Sequence, residues 1–248
     1  MRNWLLIRRW LGIELVEVSR TEKLVAALGG GSAILALIFL SRWALPTAGA
    51  TAIITSMGAS AVLLFAVPHG QLSQPWAVIA GHGVSAVIGV TCARLIPYPM
   101  VAAACAVGFA IAAMHQLKCI HPPGGATAFT AVMGGSAIQG LGYHFVLFPV
   151  LLNAAVMVLL AVLINSAFKW RRYPAALNRP VQPSSPVSFV HPPVPTHAEI
   201  LAAIRSIDSF IDVNEEDLLR LTLLLSQNRQ TANPDPPNGI QSDGLDAV

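Results

Sequence analysis

The sequence predicts an all-α membrane protein: six hydrophobic segments forming two inverted three-helix repeats, followed by a short cytoplasmic helical tail. Three observations predict it. Hydrophobic residues make up 54% of the 248 positions and charged residues 11%, against about 25% charged in an average soluble domain. Six apolar stretches approach the ~20 residues that a helix needs to cross a bilayer. A block of small and hydroxylated residues in the second stretch recurs 76 positions later, in the fifth.

Taken in order, residues 1–21 form a cytoplasmic amphipathic N-terminus. Arg2–Trp10, "RNWLLIRRW", mixes basic and aromatic side chains, as helices lying on a membrane surface do; a basic end without fixed structure fits equally. It lacks the short apolar core and small-residue cleavage site of a removable leader. The hydrophobic segments follow at 23–43, 46–66, 76–94, 98–118, 122–141 and 145–168. Arg2, Arg8, Arg9, Arg20 and Lys23 precede or open the first, and Lys169, Arg171 and Arg172 follow the last. The positive-inside rule then places both termini in the cytoplasm, with a bacterial inner membrane as the expected location. Both ends on one side require an even number of crossings. Six satisfies this, and so does four spans plus two re-entrant segments, with 46–66 and 122–141 dipping in and returning. Residues 170–195 are a Pro/Ser-rich linker. Thr196 to Glu199 makes a capping box that opens two amphipathic helices over 196–230, and 231–248 is expected to be disordered.

The repeat is specific. Pro46–Ala61, "PTAGATAIITSMGASA", matches Pro122–Ala137, "PPGGATAFTAVMGGSA", at nine of 16 positions without a gap; chance would give roughly one or two. Pro46 pairs with Pro122, Gly49 with Gly125, Thr51 with Thr127 and Ser60 with Ser136. The two halves are 22–95 and 98–169. An odd number of segments per half inverts the second copy, an arrangement typical of transporters, whose sites lie at the repeat interface.

Two readings of the block stand. Proline at a first helical turn costs little, so Pro46 and Pro122 start helices whose free amides and dipole favour an anion, with the Thr51 and Thr127 hydroxyls one turn further in. Alternatively the small residues serve close helix packing alone. His115, Lys118 and His121 lie three apart beside the block, and Arg42 is the repeat partner of Lys118; a cationic ring there would gather anions. His82 sits inside a span beside Gly81, Ser85 and Gly89, a small-residue face that invites a neighbouring helix. An ionisable group at that depth is a functional candidate able to carry a proton during anion–proton symport; a histidine hydrogen-bonded between helices is the alternative. Asn153 offers a polar, structural handle in the last span. Cys92, Cys105 and Cys119 lack metal or redox spacing. No H-E-x-x-H, G-x-S-x-G or P-loop pattern is present, the acids sit near the ends, and no basic face interleaves with aromatics. An enzyme, a cofactor, a metal centre and nucleic-acid binding are therefore not expected.

"HPPGGATA", His121–Ala128, resembles the signature of the HPP family of integral membrane proteins. Residues 58–90, with their "PH" turn and "GH" pair, resemble the family's first half, and the resemblance covers roughly 20–170. It implies a multi-pass membrane fold, and some members are nitrite transporters. By match it points to His121, Pro122, Pro123, Gly125, Ala126 and Thr127, with Gly58, Ala59, Ser60, His69, Gly81 and His82. Many relatives carry a proline-containing pair where this chain has Ser56-Met57. Some relatives add nucleotide-binding regulatory domains, whereas a short helical tail stands here. The sequence thus reads as a transporter or channel for a small inorganic anion, nitrite first among candidates. The expected substrate-binding residues are Pro46, Gly49, Thr51, Ser60, His82, Lys118, His121, Pro122, Gly125, Thr127 and Ser136. The lipid bilayer and the anion are the expected partners, with a homo-oligomer allowed. The alternative is a membrane scaffold or sensor that recruits a partner through its C-terminal helices.

Overall fold

The computed structural model describes residues 18–44 and 47–178, with the side chains of residues 43–53 left outside that description. The expectations for the N-terminus before residue 18, for Pro46 and for everything after residue 178 lie outside the described residues. Those described are helical, with no strand among them. The helices are α1 (Arg20–Ala44), α2 (Thr47–Ala66), α3 (Pro75–Leu95), α4 (Pro99–Gln116), α5 (Pro122–Met133), the short α6 (Ser136–Gln139) and α7 (Leu152–Ser166). Among the described residues, four stretches are long and apolar enough to cross a membrane: Arg20–Arg42, Pro75–Leu95, Pro99–Gln116 and Val146–Ser166. A shorter apolar helix covers Ile54–Ala66.

Each start and stop has a local cause. The Ser19 hydroxyl accepts the Glu22 amide at 3.1 Å and caps α1, while Glu22 in the first turn and Arg42 in the last complement the helix dipole. Prolines open α3, α4 and α5, where a missing N–H costs nothing. The expected fifth segment, 122–141, is not one continuous helix. α5 stops at Met133 because Gly134 is followed by Gly135 at φ +80°, a left-handed conformation that favours glycine. Twelve residues rise only ~18 Å, short of the ~30 Å hydrocarbon core. The last segment is interrupted as well: Phe148 is extended (φ −133°, ψ 120°) and Pro149 follows it, so the regular helix begins only at Leu152.

Two apolar cores hold the helices. One contains Leu37 of α1, Met57, Leu64 and Phe65 of α2, and Met157 and Ala161 of α7. The other contains Cys92 of α3, Ala102, Ala106 and Met114 of α4, and Ala128 and Val132 of α5. The Gly81/Ser85/Gly89 face receives α5 as the small-residue spacing predicts. A Cβ placed at Gly124 would stand 2.8 Å from Ser85 Oγ and 2.9 Å from the Gly81 carbonyl; at Gly89 it would stand 2.7 Å from the Ala128 carbonyl. Asn153 of α7 donates to Ser41 Oγ of α1 at 3.2 Å.

One end of the helices is tied by polar contacts. Arg171, fully buried, pairs with Glu22 and also donates to the Phe65 carbonyl and Asn165 Oδ1. Trp170 Nε1 donates to Glu22 Oε2 at 3.0 Å, and Asn165 donates to the Leu64 carbonyl at 3.1 Å. The Tyr173 hydroxyl donates to the Ser73 carbonyl at 2.7 Å, joining loop 67–74 to the same end. Trp76 Nε1 donates to the Leu117 carbonyl at 3.2 Å, which brings the end of α4 there too.

Candidate functional site

Four side chains far apart in sequence meet between α2, α3 and α5: Ser60, His82, His121 and Thr127. Each is no more than 1% exposed. Ser60 Oγ lies 2.8 Å from His82 Nε2 and 2.9 Å from His121 Nε2. His82 Nδ1 lies 2.7 Å from Thr127 Oγ1, and His121 Nδ1 lies 2.8 Å from the Leu72 carbonyl. The rings meet edge to face, 4.9 Å between centroids. Local backbone explains the convergence. His121 is the extended residue immediately before α5, its side chain seated beside Gly81, where a Cβ would stand 2.7 Å from His121 Cβ. Thr127 lies one turn and a half further along α5. Ser60 follows from the buried stripe Ser56/Met57/Ser60/Ala61/Leu64 on α2.

The Leu72 carbonyl places the protons. A carbonyl only accepts, so His121 donates through Nδ1. With both imidazoles neutral, His121 Nε2 must then accept, and Ser60 supplies its one hydroxyl proton. Ser60 has no second proton for His82, so His82 donates through Nε2 and accepts at Nδ1 from the Thr127 hydroxyl. The result is a chain oriented in one direction, Thr127 to His82 to Ser60 to His121 to Leu72. Among the described residues, no buried side-chain nitrogen or oxygen lacks a partner, as burial in an apolar interior demands.

The remaining expected site residues divide. Pro122 is exposed and Gly125 half-buried, both at the start of α5, but the start of this helix does not offer the bare amides expected of it. Pro122 and Pro123 have no N–H, and the Gly124 amide is given to the His121 carbonyl at 2.8 Å. Nor do the two repeated tips share one cavity. Ser60 reaches the α5 start from 13 residues along α2, so Thr47 lies about 20 Å away. Gly49 and Thr51 are helical, with side chains outside the described set. Ser136 is exposed at the first turn of α6, beyond the end of α5. Lys118 does not form a ring with His115 and His121: it takes φ +53°, a turn that leaves Lys118 and His115 exposed and sends His121 inside. Arg42, at the end of α1 opposite Glu22, is about 30 Å from that end of the molecule.

The sequence reading missed Arg94. It lines a cavity of about 640 Å³ together with Val90, Ala131, Val132, Ile138, Gln139 and Gly142, among others. Its guanidinium stacks on Tyr143, 4.9 Å from the ring centre, and the Tyr143 hydroxyl lies 2.9 Å from Thr91 Oγ1. Ala131 on the cavity wall is four residues from Thr127, about 6 Å along α5. Between them α3 and α5 touch: a Cβ at Gly89 would stand 2.7 Å from both the Ala128 carbonyl and Ala131 Cβ. The cavity and the polar chain are thus neighbours separated by a small-residue contact. The signal for Arg94 was its isolation. Between residues 18 and 178 there are eight Lys and Arg but a single acid, Glu22, and Glu22 is committed to Arg171. Among the described residues no group of three His, Cys, Asp or Glu side chains is placed to hold a metal.

Comparison with known proteins gives the family. The profile described as HPP, transmembrane region, matches residues 16–174. The chain belongs to the HPP family. The chain also matches two curated transmembrane proteins of Dictyostelium discoideum. One is 40% identical over 126 residues, covering 49% of this chain and 44% of the relative. The other is 40% identical over 123 residues, covering 48% and 39%. The aligned part thus spans less than half the length of either relative. No solved structure matches the chain.

Proposed function

We propose that this HPP protein passes a small inorganic anion through the membrane, nitrite first among candidates. The observation that carries this reading is Arg94, an exposed cation lining a cavity whose wall holds no carboxylate and which lies beside a buried polar chain. A cation on such a wall attracts anions and repels cations. At about 640 Å³ the cavity exceeds a three-atom ion, so it reads as a wet vestibule that delivers the anion toward Thr127 and His82, with the Gly89/Ala131 contact closing the way. We read the six hydrophobic segments as six crossings in two inverted repeats. The ties among Glu22, Arg171, Leu64, Trp76 and Leu117 support this, since they gather alternate helix ends on one side. That side carries most of the cations and is assigned to the cytoplasm, with a bacterial inner membrane as the setting. The Arg94 vestibule then opens outward.

Purified protein in liposomes tests the proposal. Nitrite should enter faster than into protein-free vesicles, and Arg94→Gln should lower the initial rate roughly tenfold at low salt, the small end of what a focusing charge supplies. Arg94→Lys should retain most of the rate. Equal entry with and without protein, for nitrite and other small inorganic anions, would refute the transport reading; full activity in Arg94→Gln would remove the vestibule.

A further inference from the structure

We propose that Thr127, His82, Ser60 and His121 form a relay that stores one proton, loaded together with the anion. The inference rests on the anion reading above and adds the coupling ion and its site.

The geometry gives the chain a second complete state. A proton arriving at Thr127 Oγ1 bonds there while the original hydroxyl proton passes to His82 Nδ1. His82 Nε2 releases its proton to Ser60 Oγ, and Ser60 passes its own to His121 Nε2. Each transfer runs along a contact of 2.7, 2.8 or 2.9 Å. One proton has been added, every group but His121 ends with the number it began with, and His121 is the imidazolium. The chain now points the other way: His121 Nε2 donates to Ser60, Ser60 to His82 Nε2, and His82 Nδ1 to Thr127. The Thr127 hydroxyl turns to the Pro123 carbonyl, 3.4 Å away, and His121 Nδ1 still donates to Leu72. A cluster whose hydrogen bonds are made both with and without an extra proton needs no rearrangement of side chains to take one up.

The same surroundings explain why the proton would not load alone. A buried cation is costly without a counter-charge, and the one acid among the described residues, Glu22, is held by Arg171. Of the other titratable groups on the packed elements, Cys92 and Arg94 lie toward the far end of α3, and Cys105 and His115 lie on α4. Cys119 is in the turn before α5, and His69 in loop 67–74 faces Arg171, Arg172 and Glu22. None is a carboxylate, so an anion drawn in past Arg94 is the counter-charge available.

Nitrogen-15 NMR of the full chain in lipid, with the rings assigned by His82→Gln and His121→Gln, reads this directly. At neutral pH His121 should carry its proton on Nδ1 and His82 on Nε2. Acidification with nitrite should give one imidazolium for the pair and move the His82 proton to Nδ1. A His82 protonated on Nδ1 at neutral pH, two protons taken up together, or none, would overturn the relay. In liposomes the protein-dependent initial rate of nitrite entry should rise with an inward proton gradient. Ser60→Ala should lose that dependence and Ser60→Thr should keep it. Nitrite entry indifferent to the proton gradient would overturn the relay and leave the transport reading standing. The NMR pattern without any anion entry would do the reverse.

Discussion

Gly89→Ala and Gly108→Ala are the same chemical change with opposite expected signs. At Gly108 on α4 an added Cβ meets nothing within 4 Å, so the gain is the lower chain entropy and better helix propensity of alanine, roughly 0.5–1 kcal/mol. At Gly89 the Cβ would stand 2.7 Å from the Ala128 carbonyl, 2.7 Å from Ala131 Cβ and 3.0 Å from Ala128 Cα. Carbon contacts are comfortable at about 3.5–4.0 Å, so α5 must withdraw by roughly 0.8 Å. None of these three neighbours sits on a flexible side chain that could turn away. Overpacking of this kind costs about 1–3 kcal/mol, which exceeds the propensity gain and leaves a net loss of roughly 1–2 kcal/mol. At about 2–4 °C per kcal/mol for a chain of this size, the thermal midpoint in detergent should fall by roughly 2–8 °C for Gly89→Ala and rise by a few degrees for Gly108→Ala. The Gly89 variant should also admit nitrite faster at zero proton gradient, because the separation between cavity and relay is opened. A Gly89→Ala protein as stable as the Gly108 variant would refute the tight α3–α5 contact and the closure built on it.

Two further substitutions test other parts of the structure. Glu22→Gln leaves the fully buried Arg171 guanidinium without its counter-charge and should cost about 3–5 kcal/mol in unfolding free energy, with Glu22→Gln/Arg171→Met recovering much of it; a tolerated single variant would contradict the buried pair. Burial pushes the His69 imidazole below its ordinary range, the Arg172 backbone hydrogen bond and the Glu22 charge partly offset this, and Arg171 adds to the lowering. The unfolded chain then binds this proton more readily, so stability is full above about pH 6.5 and declines as pH falls from there toward the lowered folded value. His69→Gln should flatten the decline in thermal midpoint between pH 7 and 5; an unchanged slope would rule His69 out as its source.

Composition and spacing carried a good part of this protein. The apolar stretches located α1, α3 and α4 to within a few residues, because length and hydropathy decide a lipid-facing helix. The Gly81/Ser85/Gly89 spacing identified the face that receives α5. The glycine pair that ends α5 and the break at Phe148–Pro149 were passed over, since neither lowers the mean hydropathy of its segment. Ser60, His82, His121 and Thr127 were each singled out, yet their meeting was not legible. Up to 61 residues separate hydrogen-bonded members of the cluster, and only tertiary packing brings them together. The cationic ring failed for a local reason: three-residue spacing means one face only on a helix, and at Lys118 the chain turns instead.

The sharpest test of proton and anion crossing as a neutral pair is the voltage dependence of nitrite uptake. An anion moving alone feels about 2.3 kcal/mol per 100 mV, roughly a fifty-fold change in its accumulation at equilibrium. With the pH gradient clamped and a potassium–valinomycin potential imposed on liposomes holding the full chain, the account predicts protein-dependent nitrite entry that does not change with voltage. Entry that grows with an inside-positive potential would show the anion crossing without its proton and would contradict the account.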